Sequence, residues 1–301
     1  EGLTPFYNGV IASEIRRGMF APESNTSVLV LVKSDGQTSD LAPGGLNGWA
    51  PAFHSNNKRL AYIAPISTGG HALRLAELDS TGNVVGSIMQ LVTTQLGHLS
   101  DPAWSSDGRS LAFTADLGEG EAAYVFDLTD LSLQRVRIEG AVTTWDPAFS
   151  PDGGLWISSD RGGVFNLYEV SLADSSAKQR TRVITGAMEP SVSSDGERVA
   201  YAHYTAEGFN VALLDSSRWL NEPVAVTIEQ VGRDVFMSPD SLLAVESTGT
   251  HAEYSPLPHM APNFAMLSNI IGYEQGFGMS VHGRDPVGLL SWNLLAGLGV
   301  E

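Results

Sequence analysis

The 301-residue chain carries 34 acidic against 17 basic residues, a formal net charge of −17, and 43% hydrophobic residues. That apolar fraction excludes an acidic disordered tail and is ample for a sizeable core. The charge argues against binding nucleic acid or an anionic membrane, either of which needs a basic face, and zero cysteines remove disulfides, thiolate metal sites and cysteine nucleophiles.

The chain opens on Glu1 with no charged leader and apolar run behind it, so a removed signal peptide or an excised segment is expected. It stops inside an alternating apolar stretch at Val300-Glu301, where a fragment is expected. Between the ends, one sentence is repeated. Its copies run Trp49 to Tyr62, Asp101 to Phe113, Asp146 to Ile157 and Glu189 to Tyr201, anchored on Pro51, Pro102, Pro147 and Pro190 at gaps of 51, 45 and 43 residues. Weaker copies lie upstream at Thr4 to Ala12 and downstream at Val235 to Val245, making six.

Within each copy a short apolar strand reaches a turn such as Ser106-Asp107-Gly108, where Asp caps its own backbone and Gly supplies a positive φ. A β-rich strand follows (Ser110 to Thr114, Arg198 to Ala202). A third comes next (Ala72 to Leu78, Glu121 to Asp127, Asn166 to Val170, Asn210 to Asp215). A fourth, more polar strand closes the unit, as at Leu133 to Arg137 and Arg180 to Ile184. Four antiparallel strands per ~45 residues predict an all-β chain, a six-bladed β-propeller of four-stranded blades. Trp104, Phe113, Phe149 and Tyr201 are expected to face its core.

The spacing also suits a WD40 ring, but Trp145-Asp146 opens a strand rather than standing where that family's dipeptide belongs. Ser150-Pro151-Asp152-Gly153, Ser106-Asp107-Gly108, Ser194-Asp195-Gly196 and Ser238-Pro239-Asp240 instead resemble the TolB-like (PD40, WD40-like) propeller repeat over roughly residues 1–250. The resemblance implies a bacterial propeller; it leaves function open, because propellers host binding modules and enzyme accessory domains alike.

After Gly249 the pattern changes. Pro256, Pro258 and Pro262 predict an extended linker over 251–274. From Gln275 the residues alternate, with Phe277, Met279 and Val281 on one face. Arg284-Asp285-Pro286 makes a turn, and Leu290, Trp292, Leu294, Ala296, Leu298 and Val300 share a face beyond it. A hairpin over 275–301 is expected. It resembles the first strands of an outer-membrane β-barrel joined to a periplasmic propeller, the alternative being a hairpin packed on the propeller.

Catalytic motifs are weak. Gly278-Met-Ser-Val-His-Gly283 has one residue too many for a nucleophile elbow, so Ser280 reads as a strand residue. Seven scattered histidines form no metal motif, and the acidic stretches Asp35–Asp40, Asp79–Gly82 and Asp127–Asp130 read as hairpin turns rather than calcium loops. No catalytic residue, metal or cofactor is predicted. What remains is the channel mouth, where the residues before each anchoring proline fall: Trp49, Asp101, Trp145, Asp146 and Glu189. Two tryptophans and three carboxylates suit a peptide or a basic or aromatic ligand; recurrence from unit to unit equally suits side chains that cap neighbouring backbone.

The sequence therefore predicts a non-enzymatic protein- or peptide-binding propeller, with no nucleic-acid partner, in the periplasm of a Gram-negative bacterium. Its C-terminal segment would reach the outer membrane if the chain continues as a barrel. The alternative is the accessory propeller of a larger prolyl-oligopeptidase-type serine peptidase.

Overall fold

A computed structural model describes residues 2–7, 9–17, 25–42, 46–66, 70–94, 98–232, 262–269, 275–284 and 291–300. Blade 1 comprises β1 (Leu3–Phe6), β2 (Gly9–Arg17), β3 (Asn25–Lys33) and β4 (Thr38–Asp40), with β5 (Leu46–Asn47) also paired to β3. Blade 2 is β6 (Trp49–His54), β7 (Arg59–Pro65), β8 (His71–Leu78) and β9 (Val84–Thr94). Blade 3 is β10 (Leu99–Trp104), β11 (Ser110–Asp116), β12 (Glu121–Asp127) and β13 (Ser132–Ile138). Blade 4 is β14 (Thr144–Phe149), β15 (Leu155–Ser159), β16 (Asn166–Ser171) and β17 (Ser176–Gln179). Blade 5 has three strands, β18 (Ala187–Val192), β19 (Arg198–Thr205) and β20 (Gly208–Asp215).

Two features depart from the expected architecture. The described residues form five blades, not six, and the sixth repeat copy, Val235 to Val245, lies outside them. The blades hold three to five strands rather than a uniform four. In blades 3 to 5 the uneven count arises after β20. A 3-10 turn at Ser216–Arg218 leads into β21 (Glu222–Val224) and β22 (Val226–Val231), which pair with β17 and β13 as fifth strands of blades 4 and 3. Among the described residues blade 5 has no fourth strand.

The closing strand of blade 4 also lies earlier than its sequence suggests, at Ser176–Gln179 instead of Arg180 to Ile184. The Arg180 amide still donates to the Leu167 carbonyl at 2.8 Å, and its guanidinium is engaged elsewhere. It pairs with Glu169, donates to the Leu220 carbonyl at 3.0 Å and to Asn221, and lies 5.1 Å over the Trp219 ring.

The cores sit between successive blades, where the inward faces of neighbouring sheets meet. Ile63, Leu73, Phe113 and Tyr124 belong to the cluster between blades 2 and 3; Val125, Ile157 and Tyr168 to that between blades 3 and 4; Trp156 and Val199 to that between blades 4 and 5. Phe113 is fully buried, while Trp104, Phe149 and Tyr201 pack half-buried against these clusters. Neighbouring inner strands run β1, β6, β10, β14, β18, the order that places equivalent residues of successive blades around one axis.

The turns follow the expected chemistry. Asp107 Oδ1 accepts from the Arg109 amide at 3.0 Å and from the Ser105 hydroxyl at 2.7 Å; Asp152 and Asp195 repeat both bonds with Gly154, Ser150, Glu197 and Ser193. In blade 2 Asn57 takes the aspartate's place, accepting from the Arg59 amide, and Lys58 takes the glycine's positive φ at 56°. The acidic stretches weighed as calcium loops are turns as well. Asp79 Oδ1 takes the Thr81 and Asn83 amides at 2.8 and 2.9 Å, Asp127 Oδ1 the Thr129 amide at 2.7 Å, and Asp35 Oδ1 the Gln37 amide at 2.9 Å.

Contacts divide the chain into two units, Glu1–Glu14 with Val28–Glu246, and Ile15–Ser27 with Ser247–Glu301. In the second unit β23 (Pro262–Asn269), β24 (Gln275–Arg284) and β25 (Ser291–Val300) form one antiparallel sheet. β23 thus falls within the span read as linker, and the expected turn at Asp285-Pro286 lies outside the described residues. Ser280 sits mid-strand opposite Met266 and Leu295, not on the strand–helix turn that a hydrolase nucleophile requires.

Candidate functional site

The first strand of each of blades 2 to 5 has the same irregularity. Pairing slips between Trp49 and Ala52, Ser100 and Ala103, Trp145 and Ala148, and Met188 and Ser191. At each slip the residue before the anchoring proline takes a left-handed backbone: Ala50 (φ 49°), Asp101 (53°), Asp146 (52°) and Glu189 (53°). This is a β-bulge, one extra residue that breaks the ladder and re-aims a side chain. Holding Asp or Glu at positive φ costs free energy, and such strain persists only where surrounding structure imposes it. The repetition sets Asp101, Asp146 and Glu189 together on the cavity lining.

Two adjoining cavities result. A cavity of about 820 Å³ is framed by the four anchoring prolines and lined by Trp49, Asp101, Asp146 and Glu189. A smaller one of about 260 Å³ shares the three carboxylates and adds Trp145, Glu121 and Phe209. The five residues singled out in the sequence are all brought to the axis, but on two sides of an acidic neck: Trp49 opens on the larger cavity and Trp145 on the smaller.

The aromatic walls are braced. Trp145 stacks on Phe165 at 4.8 Å between centroids and 19° between planes, and its indole N–H donates to Glu121 Oε2 at 2.8 Å. Trp49 meets His71 edge-on at 4.8 Å. Burial and the nearby His98 push the His71 pKa down.

The carboxylates play unequal parts. Asp146 Oδ2 accepts the Glu189 amide of the next blade at 3.0 Å, and its own amide donates to Thr114 Oγ1 at 3.2 Å. Asp146 therefore joins blades 3, 4 and 5. Burial pushes its pKa up to about 6, with the negative charges of Asp101 and Glu189 adding to the rise, against hydrogen bonds that hold it down. Asp101 is exposed, and its Oδ2 accepts the Ser100 hydroxyl at 2.5 Å. Among the described residues no three His, Asp or Glu side chains are grouped to hold a metal ion. The neck presents diffuse negative charge between aromatic walls.

Sequence reasoning missed His98 and Glu121, which lie 3.7 Å apart (Nδ1 to Oε1) beside the smaller cavity. Glu121 merely begins a third strand and His98 sits in a connection, so no repeat position marks them. The bulge itself was also invisible, because a proline preceded by Asp or Glu reads as extended chain.

The TolB β-propeller domain (PD40) matches residues 20–266. The chain belongs to that family. The propeller resembles Acinetobacter baumannii TolB with a TM-score of 0.57 at 21% identity, over 98% of this chain and 65% of that one. A protein of Agrobacterium tumefaciens assigned as TolB gives 0.52 at 16% identity, over 73% and 91%. A puromycin-hydrolyzing peptidase of Mycobacterium tuberculosis gives 0.56 at 15% identity, over 94% of this chain and 42% of that one. At these identities the likeness shows shared fold. The chain spans less than two thirds of the Acinetobacter protein and less than half of the peptidase.

Proposed function

We propose that this TolB-family propeller is a non-enzymatic binding module of the Gram-negative periplasm that grips a cationic segment of a protein or peptide at its axial cavities. The observation that carries the reading is the acidic neck of Asp101, Asp146 and Glu189 between Trp49 and Trp145. A lysine or arginine side chain entering it gains charge-assisted hydrogen bonds from the carboxylates, and its methylenes or guanidinium lie along the indoles. The net charge of −17 steers such a partner inward. The alternating strands β24 and β25, ten residues each, support association with an outer-membrane barrel. The domain reading is a propeller over 1–250 and a C-terminal sheet in which β23 joins the two strands of 275–301.

Titrating an arginine- and lysine-containing peptide by isothermal calorimetry tests the reading. Binding is expected to weaken at least tenfold in a Trp49→Ala/Trp145→Ala variant that still unfolds cooperatively. Unchanged affinity in the folded variant would remove the aromatic walls from the site. The second reading, an accessory domain of a larger serine peptidase, draws support from the peptidase whose fold this chain shares over 42% of its length. It requires a catalytic domain beyond these residues; peptide hydrolysis by the full natural protein, abolished by a serine-directed inhibitor, would decide for it.

A further inference from the structure

Among the described residues no strand pairs with the outer edge of β20 in blade 5. In blades 1 to 4 the third strand turns straight back into the fourth through four or five residues: 34–37, 79–83, 128–131 and 172–175. After β20 the corresponding connection is 216–221, six residues, and the strands that follow depart to blades 4 and 3, which already possess four strands each. Among the described residues β20 has β19 as its neighbour on one side and no strand on the other. Its alternate side chains Phe209, Val211 and Leu213 are 66%, 88% and 59% exposed. An unpaired strand edge beside an apolar row is a template for another strand.

We propose that residues 222–231 have two docking sites on this propeller, the outer edges of blades 4 and 3 and the outer edge of β20, and that the chain exchanges between them. Register supports the second site. Folding back through 216–221 with Glu222 opposite Asp215 sets Val224 against Leu213, Val226 against Val211 and Ile228 against Phe209, while the polar Thr227 meets Asn210. Every exposed apolar side chain of β20 then gains an apolar partner, the pairing that stabilises antiparallel sheets. In the first site the same three residues face Ala177, Ile138 and Val136. One period-two pattern serves both edges.

Charge biases the choice. Glu222 pairs with Arg182 in the blade 4 site, whereas in the second it would face Asp215, a like charge. Trp219, packed on Trp156 at 4.9 Å beneath Arg180, is the point from which the strand departs. The consequence is an interaction surface that alternates. With the segment on blades 4 and 3, the β20 edge is open to an extended apolar strand; with the segment on β20, the edges of β13 and β17 are open instead. This inference does not rest on the axial site.

The absence of native cysteine makes a direct test possible. Thr227→Cys is combined with Arg137→Cys, its observed opposite, or with Asn210→Cys, its opposite in the second site; all three positions are exposed. Opposed residues lie about 4.5–5.5 Å apart between Cα atoms, within disulfide reach. Under a mild copper–phenanthroline oxidant, intramolecular closure of both pairs is expected, the 137/227 pair more completely. Adding Glu222→Lys is expected to raise the yield of the 210/227 pair several-fold at the expense of the other. Closure of only one pair, or capture of the 210/227 pair solely as a cross-linked dimer, would overturn the proposal. An independent readout is amide exchange: closing 137/227 is expected to speed exchange of the β20 amides relative to the reduced form, and unchanged exchange would count against it.

Discussion

At the scale of single residues, the repeat's Ser-x-Asp-Gly turn shows how four side chains encode a direction change. The Gly108 amide donates to the Ser105 carbonyl at 2.9 Å, and φ at Gly108 is +68°. A Cβ there would stand 2.4 Å from the Asn57 amide nitrogen and 2.7 Å from the His54 ring, whereas at Gly196, φ +72°, it would meet nothing within 4 Å. The left-handed penalty of about 1–2 kcal/mol is common to both sites. Gly108→Ala should therefore lower Tm clearly more than Gly196→Ala, since only the former disturbs the Asn57 and His54 bonds to the blade 3 turn. Thermal melts of the two variants check this; equal losses would mean the Asn57 contact gives way freely.

Asp146 contributes a pH dependence opposite in sign to that of the turn aspartates, whose hydrogen bonds hold their pKa values down. Its folded-state pKa of about 6 stands above the ordinary aspartate value of about 3.9. Between these values the fold holds a proton that the unfolded chain has released, so stability falls as pH rises through that window and the penalty is complete above about 6. Asp146→Asn removes the titration while retaining a side-chain oxygen to accept the Glu189 amide. Melts from pH 4 to 7 should show the wild-type curve descending relative to the variant; parallel curves would refute the shift. Cationic peptide binding should strengthen over the same window as the carboxylate ionises.

At the scale of elements, Arg180 ties the end of blade 4 to the segment that precedes β21. Its side chain is 9% exposed and Glu169's 19%, so removing the guanidinium strands a largely buried carboxylate and releases the Leu220 and Asn221 oxygens. Arg180→Ala is expected to cost about 3–5 kcal/mol in urea unfolding. Arg180→Lys should recover part of this loss and no more, because an ammonium cannot hold three acceptors in one plane. Much at this scale was legible beforehand. The strands β7, β8, β11, β12, β15, β16, β19 and β20 fall where alternation and turn residues place them, because each is bounded by its own hairpin chemistry. The destinations of β21 and β22 were not legible, since Val224, Val226 and Ile228 fit any apolar edge.

At the scale of the whole molecule, charge and rigidity combine. With 34 acidic residues and an acidic neck, association with a cationic peptide should slow steeply as ionic strength rises, because steering acts over the Debye length of about 10 Å at 0.1 M salt. Stopped-flow association rates between 20 and 300 mM salt check this, and a salt-independent rate would show that the partner's charge is immaterial. The blades supply rigidity through cores that lie between sheets, so a substitution such as Phe113→Ala loosens two neighbours at once and should cost about 3–5 kcal/mol.

Repetition by itself determined the all-β class, the blade repeat, the turn chemistry and which residues come to the axis, since each depends on side chains within a few positions of one another. Only the tertiary structure decided how many strands each described blade holds, where the segment after β20 goes, and how the residues before the prolines line the cavities. Those outcomes are competitions among distant edges and neighbouring carboxylates, and a local pattern compatible with several edges does not choose among them.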